Sequence, residues 1–258
     1  LFGAIDLFSP FSPFEVDREW RRGVDAVRMD VRLSSRSSTD VVLAFGERLD
    51  ESAYAVRIRG YGGEVDVEAV GGWRAGDTFG GAATSFVLGQ AEVHGELAVF
   101  DTPAVSGSSL FGDPRTIVKA VVGGSSRVPV GAGLVIYVEY HYSGFGVPAA
   151  TDLVAALFDA EFVTRVVRGD TQILTRHALA FVGSYEWSPM VAASASLVHE
   201  PTDGSGVVAP SLTLTFGDRW SLLASGYLTY GAGPTRTGLQ SAYGASPNTA
   251  VVQVRFYR

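Results

Sequence analysis

The sequence lacks cysteine, long apolar runs and an excess of basic residues. The absence of cysteine is expected for a protein exported through compartments in which stray thiols would oxidise. No run approaches the roughly 18 apolar residues of a transmembrane helix, which leaves a membrane β-barrel open, since barrel strands show only alternation. The formal net charge of −7 supplies no basic surface, so we expect no nucleic acid partner.

Two-residue alternation is the main feature that the sequence does contain, and it is clearest in the last stretch, residues 251–257. Val252, Val254 and Phe256 fall on one face, opposite polar or amphipathic side chains. Such alternation is typical of a sheet with unlike solvents on its two sides. It predicts either the closing strand of an outer-membrane barrel or the edge strand of a soluble sandwich.

The same alternation recurs along the chain and predicts about thirteen strands, the first near residues 24–34. The charged and polar residues opposite the apolar rows are predicted to face a lumen: Arg28, Arg32, Arg57, Arg59, Asp66, Glu68, Glu92, Glu96, Lys119, Glu139 and His141. The arginines come early in the chain and most of the glutamates later. We therefore expect opposite walls of opposite sign and a field across the lumen.

Turn lengths distinguish a barrel from a sandwich. Connections alternate between short ones (125–130, 188–189, 217–218) and longer ones (101–114, 144–170, 201–205, 231–247). A soluble Greek key has no reason for this alternation, whereas a membrane barrel has short periplasmic turns and longer external loops. The predicted fold is all-β, a transmembrane antiparallel up-and-down β-barrel.

Aromatic residues agree with this orientation. One predicted membrane girdle lies near the tight turns and comprises Phe86, Trp187, Phe216, Trp220 and Phe256. A second lies near the long loops and comprises Phe45, Tyr54, Trp73, Tyr142 and Tyr230. Two such bands are typical of barrels that cross a bilayer.

The chain divides into two parts. Residues 1–22 are rich in proline and aromatics, so they are predicted to be an external or lumen-inserted segment rather than a strand. Residues 23–258 are predicted to form the barrel. Because bacterial barrels normally have an even number of strands, we expect further strands from upstream sequence or from another chain, pairing with the first strand and with 251–257.

Two local features are specific enough to test. The Gly62-Gly63 turn predicts a hairpin with Arg59 opposite Asp66 and Arg57 opposite Glu68, as ion pairs on a wet wall or as groups that select solutes. The stretch TDLVAALFDAEF predicts a helical turn capped by Thr151 or Asp152. Its apolar stripe would comprise Leu153, Ala156 and Leu157 and pack over or into the external mouth.

Candidates for catalysis or metal binding are few. Glu139 and His141 lie two residues apart on one strand face, but a metal site needs three or more ligands, and a polar lumen wall accounts for the pair better. Nothing in the spacing of serines and histidines singles out a nucleophile and base. We expect neither an enzyme nor a metal or other cofactor.

Several segments resemble a family of large, mostly uncharacterised porin-like outer-membrane proteins of Gram-negative bacteria. They are DLFSPFSPFEVDREWRRGVDAVRMD, GELAVFD, VEYHYSGFG and FVGSYEWSPMVAASASLVHEPTDGSGVVAPSLTLTF, and the similarity spans nearly the whole chain. In that family the SPFSP block follows earlier strands. The resemblance implies that this chain is a C-terminal portion, and it carries over no catalytic residue.

The sequence thus predicts a porin-like channel in the outer membrane of a Gram-negative bacterium. Its partners would be the lipid bilayer and small polar solutes, filtered by inward charges and by loops folded toward the lumen. Two alternatives remain open. The first is a structural barrel that sheathes or anchors a partner in an envelope complex, and the second is an outer-membrane enzyme.

Overall fold

A computed structural model describes residues 2–5, 25–46, 51–103, 115–236 and 238–257 of the chain. Within them, thirteen strands form one antiparallel sheet in which each strand pairs with its neighbours in sequence. The strands are β1 (Asp25–Ser34), β2 (Ser37–Phe45), β3 (Ala53–Gly62), β4 (Val65–Arg74), β5 (Asp77–Leu88), β6 (Ala91–Asp101), β7 (Thr116–Val128), β8 (Leu134–Ser143), β9 (His177–Ser188), β10 (Val191–Glu200), β11 (Ser205–Phe216), β12 (Trp220–Tyr230) and β13 (Thr249–Phe256). The predicted strand number is confirmed.

The alternating apolar residues form one continuous row across the sheet. Leu43 of β2 pairs with Val27 on one side and with Tyr54 on the other. At the opposite edge Leu222 lies between Leu214 and Val254. We call this side the outer face, because its large apolar side chains are exposed, among them Val27 at 57% and Val252 at 69%. The opposite side, against which the loops pack, is the inner face.

The connections differ in length at the two ends of the strands. At one end, the short-turn end, they span residues 35–36, 63–64, 89–90, 129–133, 189–190 and 217–219. At the other, the long-loop end, they span residues 46–52, 75–76, 102–115, 144–176, 201–204 and 231–248. The predicted alternation of short and longer connections is confirmed for most of the chain. The two exceptions at the long-loop end are 75–76 and 201–204, since 201–204 is one residue shorter than the connection 129–133 at the other end.

The sheet is strongly curved. Arg32 of β1 and Tyr137 of β8 line one common cavity of about 760 Å³, although a flat sheet would hold these strands roughly 33 Å apart at the usual spacing. Among the described residues, β1 pairs only with β2 and β13 only with β12. The sheet is therefore a curved wall that is not closed by a pairing of its two edges.

The connection between β8 and β9 folds against the inner face and contains a 3-10 turn (Ala150–Asp152), α1 (Leu153–Ala156) and α2 (Ala160–Arg168). Leu153, Ala156 and Phe162 are buried in one apolar cluster. Leu157, predicted to share the apolar stripe, is instead 50% exposed. The predicted helical turn is confirmed, but the predicted cap is wrong, since Asp152 makes no side-chain cap hydrogen bond. No helix of the described residues is long and apolar enough to span a membrane.

The predicted register of the β3–β4 hairpin is wrong by one pair. Arg59 lies opposite Glu68, and Tyr61 lies opposite Asp66. Gly62 pairs with Val65 as the last rung, so the turn is made by residues 63–64. Gly63 has a φ of 63°, which the first central position of a tight hairpin turn can require. The turn is therefore centred one residue later in the chain than predicted.

Candidate functional site

The structure places every residue that was predicted to face a lumen on the inner face: Arg28, Arg32, Arg57, Arg59, Asp66, Glu68, Glu92, Glu96, Lys119, Glu139 and His141. Strict two-residue alternation explains this agreement, because cross-strand pairing keeps each row on its own side. The residues nevertheless differ widely in burial. Lys119 and His141 are fully buried, whereas the side chain of Arg28 is 55% exposed.

The arginines of β1 and β3 converge on one carboxylate that the sequence reasoning missed. Asp40 of β2, only 1% exposed, lies 2.7 Å from Arg28, 2.8 Å from Arg57 and 3.1 Å from Arg59. Arg57 also lies 3.6 Å from Glu68, as a diagonal rather than a directly opposite pair. Asp40 was recognisable in principle, since it shares the inward row of β2 with Ser38.

Across the inner face, β6 and β8 carry the acidic side chains. Glu139 Oε1 lies 3.4 Å from His94 Nε2. Glu96 accepts hydrogen bonds from the backbone N–H groups of Ala4, at 2.7 Å, and Ile5, at 3.3 Å. The ring of Phe2 stacks on buried His141, with centroids 4.7 Å apart. Residues 2–5 therefore lie along the carboxylate-bearing part of the inner face.

An ion-pair network at the long-loop end binds α2 to the wall. Its members are Arg74, Asp77, Arg115, Glu161, Arg165, Arg168 and Asp170. Arg165 donates to both carboxylate oxygens of Asp77, at 2.8 and 3.1 Å, in the two-pronged geometry that arginine favours. Its guanidinium also lies 4.8 Å from the ring centroid of Phe145. None of these residues was among the predicted site residues.

Local sequence explains why α2 forms beside this network. The Asp159 carboxylate accepts from the N–H groups of Glu161, at 2.9 Å, and Phe162, at 3.0 Å, which caps the helix. Gly169 ends it with φ of 80°, in the left-handed conformation that glycine adopts without strain. The helix places Glu161 and Arg165 one turn apart on the side that is buried.

The charges of this network shift the pKa values of its own members. Burial alone would raise the pKa of Asp170, but the hydrogen bond from Arg168 and the charges of Arg74, Arg168 and Arg165 lower it overall. Burial likewise opposes the charged form of Arg165, yet hydrogen bonding to Asp77 and the nearby carboxylates raise the pKa of Arg165 overall. Both groups therefore stay ionised across the physiological pH range.

The cavity on the inner face extends toward the short-turn end. Its arginines, Arg32, Arg36 and Arg59, come from β1, the turn at residues 35–36 and β3. Its carboxylates come from β4, β6 and β8, and they are Asp66, Glu68, Glu92, Glu96 and Glu139. Within the cavity lining the arginines thus come from β1 to β3 and the carboxylates from β4 to β8, but buried Asp40 of β2 lies among the arginines. The predicted field across the lumen stays a prediction.

The inner face of β9 to β13 differs from this charged half. Its middle positions are Ala178, Ala180, Ser194, Ser196, Ser211 and Thr213. Ser194 Oγ and Ser211 Oγ hydrogen-bond each other at 2.8 Å. At these middle positions this half supplies small neutral hydroxyls and methyls. Its inward charges, Glu186, Glu200 and Arg255, lie toward the ends of β9, β10 and β13.

The predicted girdle residues lie at the two ends of the strands on the outer face. Phe86, Trp187, Phe216, Trp220 and Phe256 are at the short-turn end, where Trp220 and Phe256 have ring centroids 4.7 Å apart. At the long-loop end are Phe45, Tyr54, Trp73, Tyr142 and Tyr230, with Tyr54 stacked on Trp73 at 5.8 Å. The two bands are therefore separated by the length of the strands.

No group of three or more metal-ligating side chains comes together among the described residues. His177 and His199 instead hydrogen-bond the hydroxyls of Tyr140, at 2.7 Å, and Tyr230, at 2.9 Å. The arrangement of the inner face can hold, orient and exclude charged solutes.

Comparison with known proteins supplies no relative for this chain. No protein-family model matches it, and neither a curated protein nor a solved structure is significantly similar. The resemblance to porin-like proteins therefore stays a prediction, and any function rests on the geometry described above.

Proposed function

We propose that the chain forms the wall of a porin-like β-barrel in the outer membrane of a Gram-negative bacterium and lets small polar solutes cross passively. The observation that supports this most strongly is the contrast between the two faces of the sheet. A continuous row of exposed apolar side chains covers the outer face, while the inner face combines arginines, carboxylates and hydroxyls with a buried apolar cluster that includes Phe79, Phe100 and Ile117.

The energetics of the outer face favour lipid over water. A soluble protein rarely exposes a contiguous apolar surface of this extent, since each buried methylene is worth about 0.8 kcal/mol relative to exposure. In a bilayer the same surface would contact the apolar acyl chains of the lipids. Two further features support an orientation with the short turns on the periplasmic side. They are the difference in connection length between the two ends of the strands and the two aromatic bands.

Closure of the barrel requires additional strands. Unpaired backbone groups at the edges of β1 and β13 would each cost several kcal/mol in lipid. We propose that strands from upstream sequence or from another chain pair with both edges. The helices α1 and α2 then lie inside the long-loop mouth and narrow it, and solutes pass between them and the wall of β9–β13.

The direct test is single-channel recording of the purified protein in planar bilayers. We expect discrete conductance steps in wild-type protein. Deletion of residues 149–169, which contain the 3-10 turn, α1 and α2, should raise the conductance because it removes the constriction. Absence of any conductance in both proteins, once insertion is verified, would overturn the channel.

The two faces are tested by a matched pair of substitutions in β11. Leu212→Arg places a charge on the outer face near mid-strand and should lower the free energy of unfolding from lipid vesicles by about 2–4 kcal/mol. Thr213→Arg, one residue further on the inner face, should cost little. Equal losses in a urea titration would contradict the lipid exposure of the outer face.

A structural barrel that sheathes a partner is the second candidate. One observation favours it, since residues 2–5 lie against the inner face and Glu96 binds their backbone. Photocross-linking in intact cells from an inner-face position such as Ser225 distinguishes the sheath from the channel. A sheath should give a cross-link to a second protein, whereas a channel should give none.

A further inference from the structure

The inner face binds a peptide backbone in this structure. Glu96 accepts the N–H groups of Ala4 and Ile5, and Gln172 Oε1 accepts the N–H of Gly3 at 3.3 Å. These contacts use backbone groups that every peptide possesses. Glu96 thus binds the backbone N–H groups of this segment, while the side chains of Phe2 and Ala4 are buried against the wall.

This peptide contact is continuous with the cavity. Phe2 and Glu96 both line it, so the chain segment and the open space share one surface. Beyond Glu96 the cavity offers two kinds of charge. Exposed Glu92 suits an ammonium group, and Arg32 and Arg59 suit a carboxylate.

We propose that the cavity is a binding site for short peptides with free termini. The terminal ammonium binds at Glu92, the backbone N–H groups face the carboxylate wall, and the terminal carboxylate binds at Arg32 and Arg59. This inference rests on the proposed channel, because it names the class of solute that the lumen concentrates.

The spacing of the charges sets the length of the ligand. Arg59 lies on β3 and Glu92 on β6, three strands apart. Because Arg59 is in register with Glu96, Glu92 lies four residues further along its strand, and the two positions are about 19 Å apart on a flat sheet and closer across the concave side. An extended peptide of two or three residues spans about 7–10 Å between its termini. Charged side chains at both ends cover the remainder. A single amino acid is too short to reach both groups.

The test is equilibrium binding of trialanine to the full protein in detergent, measured by calorimetry at low ionic strength. We expect saturable binding in wild-type protein. N-acetyl-trialanine amide, which has no charged terminus, should bind at least about tenfold more weakly, because both charge-assisted contacts are lost. Glycine should also bind at least about fivefold more weakly, because it engages one wall at a time.

Matched substitutions identify the site. Arg32→Gln and Glu92→Gln should each weaken trialanine binding about fivefold, and both residues are exposed and outside the ion-pair network, so the fold is retained. The controls Arg255→Gln and Glu186→Gln change inner-face residues outside the cavity lining and should leave affinity unchanged.

The outcomes separate this inference from the channel itself. The peptide site alone would be overturned if the protein conducts but does not bind trialanine. The same conclusion would follow if Arg32→Gln, Glu92→Gln and their controls bind trialanine equally well. Trialanine binding that depends on Arg32 and Glu92, in a protein that never conducts, would retain the site and overturn the proposed channel.

Discussion

The two ends of the inner face carry the same residue types, arginines and carboxylates, but bury them to different extents. At the long-loop end, arginines and carboxylates join α2 to the wall, with Arg165 5% and Asp170 2% exposed. Toward the short-turn end, arginines and carboxylates line an open cavity, and the side chain of Arg59 is 42% exposed. Residue type therefore does not separate a structural ion pair from a group that can meet a solute.

Burial is the physical difference between the two ends. A desolvated carboxylate without its partner is strongly unfavourable, so the network at the long-loop end holds its members in one arrangement. A solvated guanidinium keeps much of its hydration and remains able to exchange partners. Asp40 is intermediate, because it is itself buried but its arginine partners are partly exposed.

The largest expected difference between the ends is in stability. Arg165→Ala should lower the free energy of unfolding by about 3 kcal/mol, because Asp77, Glu161 and Asp170 lose a buried partner. Arg59→Ala is the matched change at the cavity end and should cost less than about 1 kcal/mol, since Asp40 keeps Arg28 and Arg57. Urea titrations of the protein in lipid vesicles measure both, and equal losses would show that burial does not distinguish the two ends.

Acid should loosen the long-loop end next. The pKa of Asp170 is lowered in the folded protein from an ordinary value of 3.8. Its ionised form therefore stabilises the network above about pH 4, and this contribution disappears as pH falls through the lower folded pKa. Hydrogen exchange of the α2 amides, corrected for intrinsic rates, should show constant protection between pH 5 and pH 8 and a loss toward pH 2.

The variant Asp170→Asn provides the control for this pH effect. It removes the titrating carboxylate, so α2 should be less protected at neutral pH and should change less on acidification. An unchanged acid response in Asp170→Asn would assign the effect to another group.

A smaller effect is expected from the cap of α2. Asp159→Ala removes two hydrogen bonds to backbone N–H groups and should lower stability by about 1 kcal/mol. Asp152→Ala changes the N-cap of α1, whose side chain makes no cap hydrogen bond, and should change stability little. Measuring the free energies of unfolding of both variants side by side tests whether Asp159, and not Asp152, is the helix cap. A larger loss for Asp152→Ala would contradict it.

The smallest effect concerns ion selectivity at the cavity end. Replacing Arg57 and Arg59 together by Gln removes two positive charges from the arginine wall, so the channel should become more selective for cations. The reversal potential under a salt gradient measures this, with Arg255→Gln as a control outside the cavity. A reversal potential that does not move would make these arginines purely structural partners of Asp40.

The strands were predictable because their signal is local. Each apolar row repeats every second residue, and pairing between consecutive strands preserves the faces, as the rung from Leu214 through Leu222 to Val254 illustrates. The β3–β4 register was not predictable to the residue. Either Gly62 or Gly63 suits the turn, and moving the turn by one residue moves Arg59 from Asp66 to Glu68.

The sequence by itself determined the all-β fold, the strand number and the two faces, because two-residue alternation and turn signals depend only on residues that are close in sequence. Only the tertiary structure decided which charges are buried. Arg165 and Asp77 are 88 positions apart, and they meet because the curved sheet brings the long connection back onto its inner face. No periodicity specifies such a contact, since it depends on how the loop fills the concave side and excludes water from it.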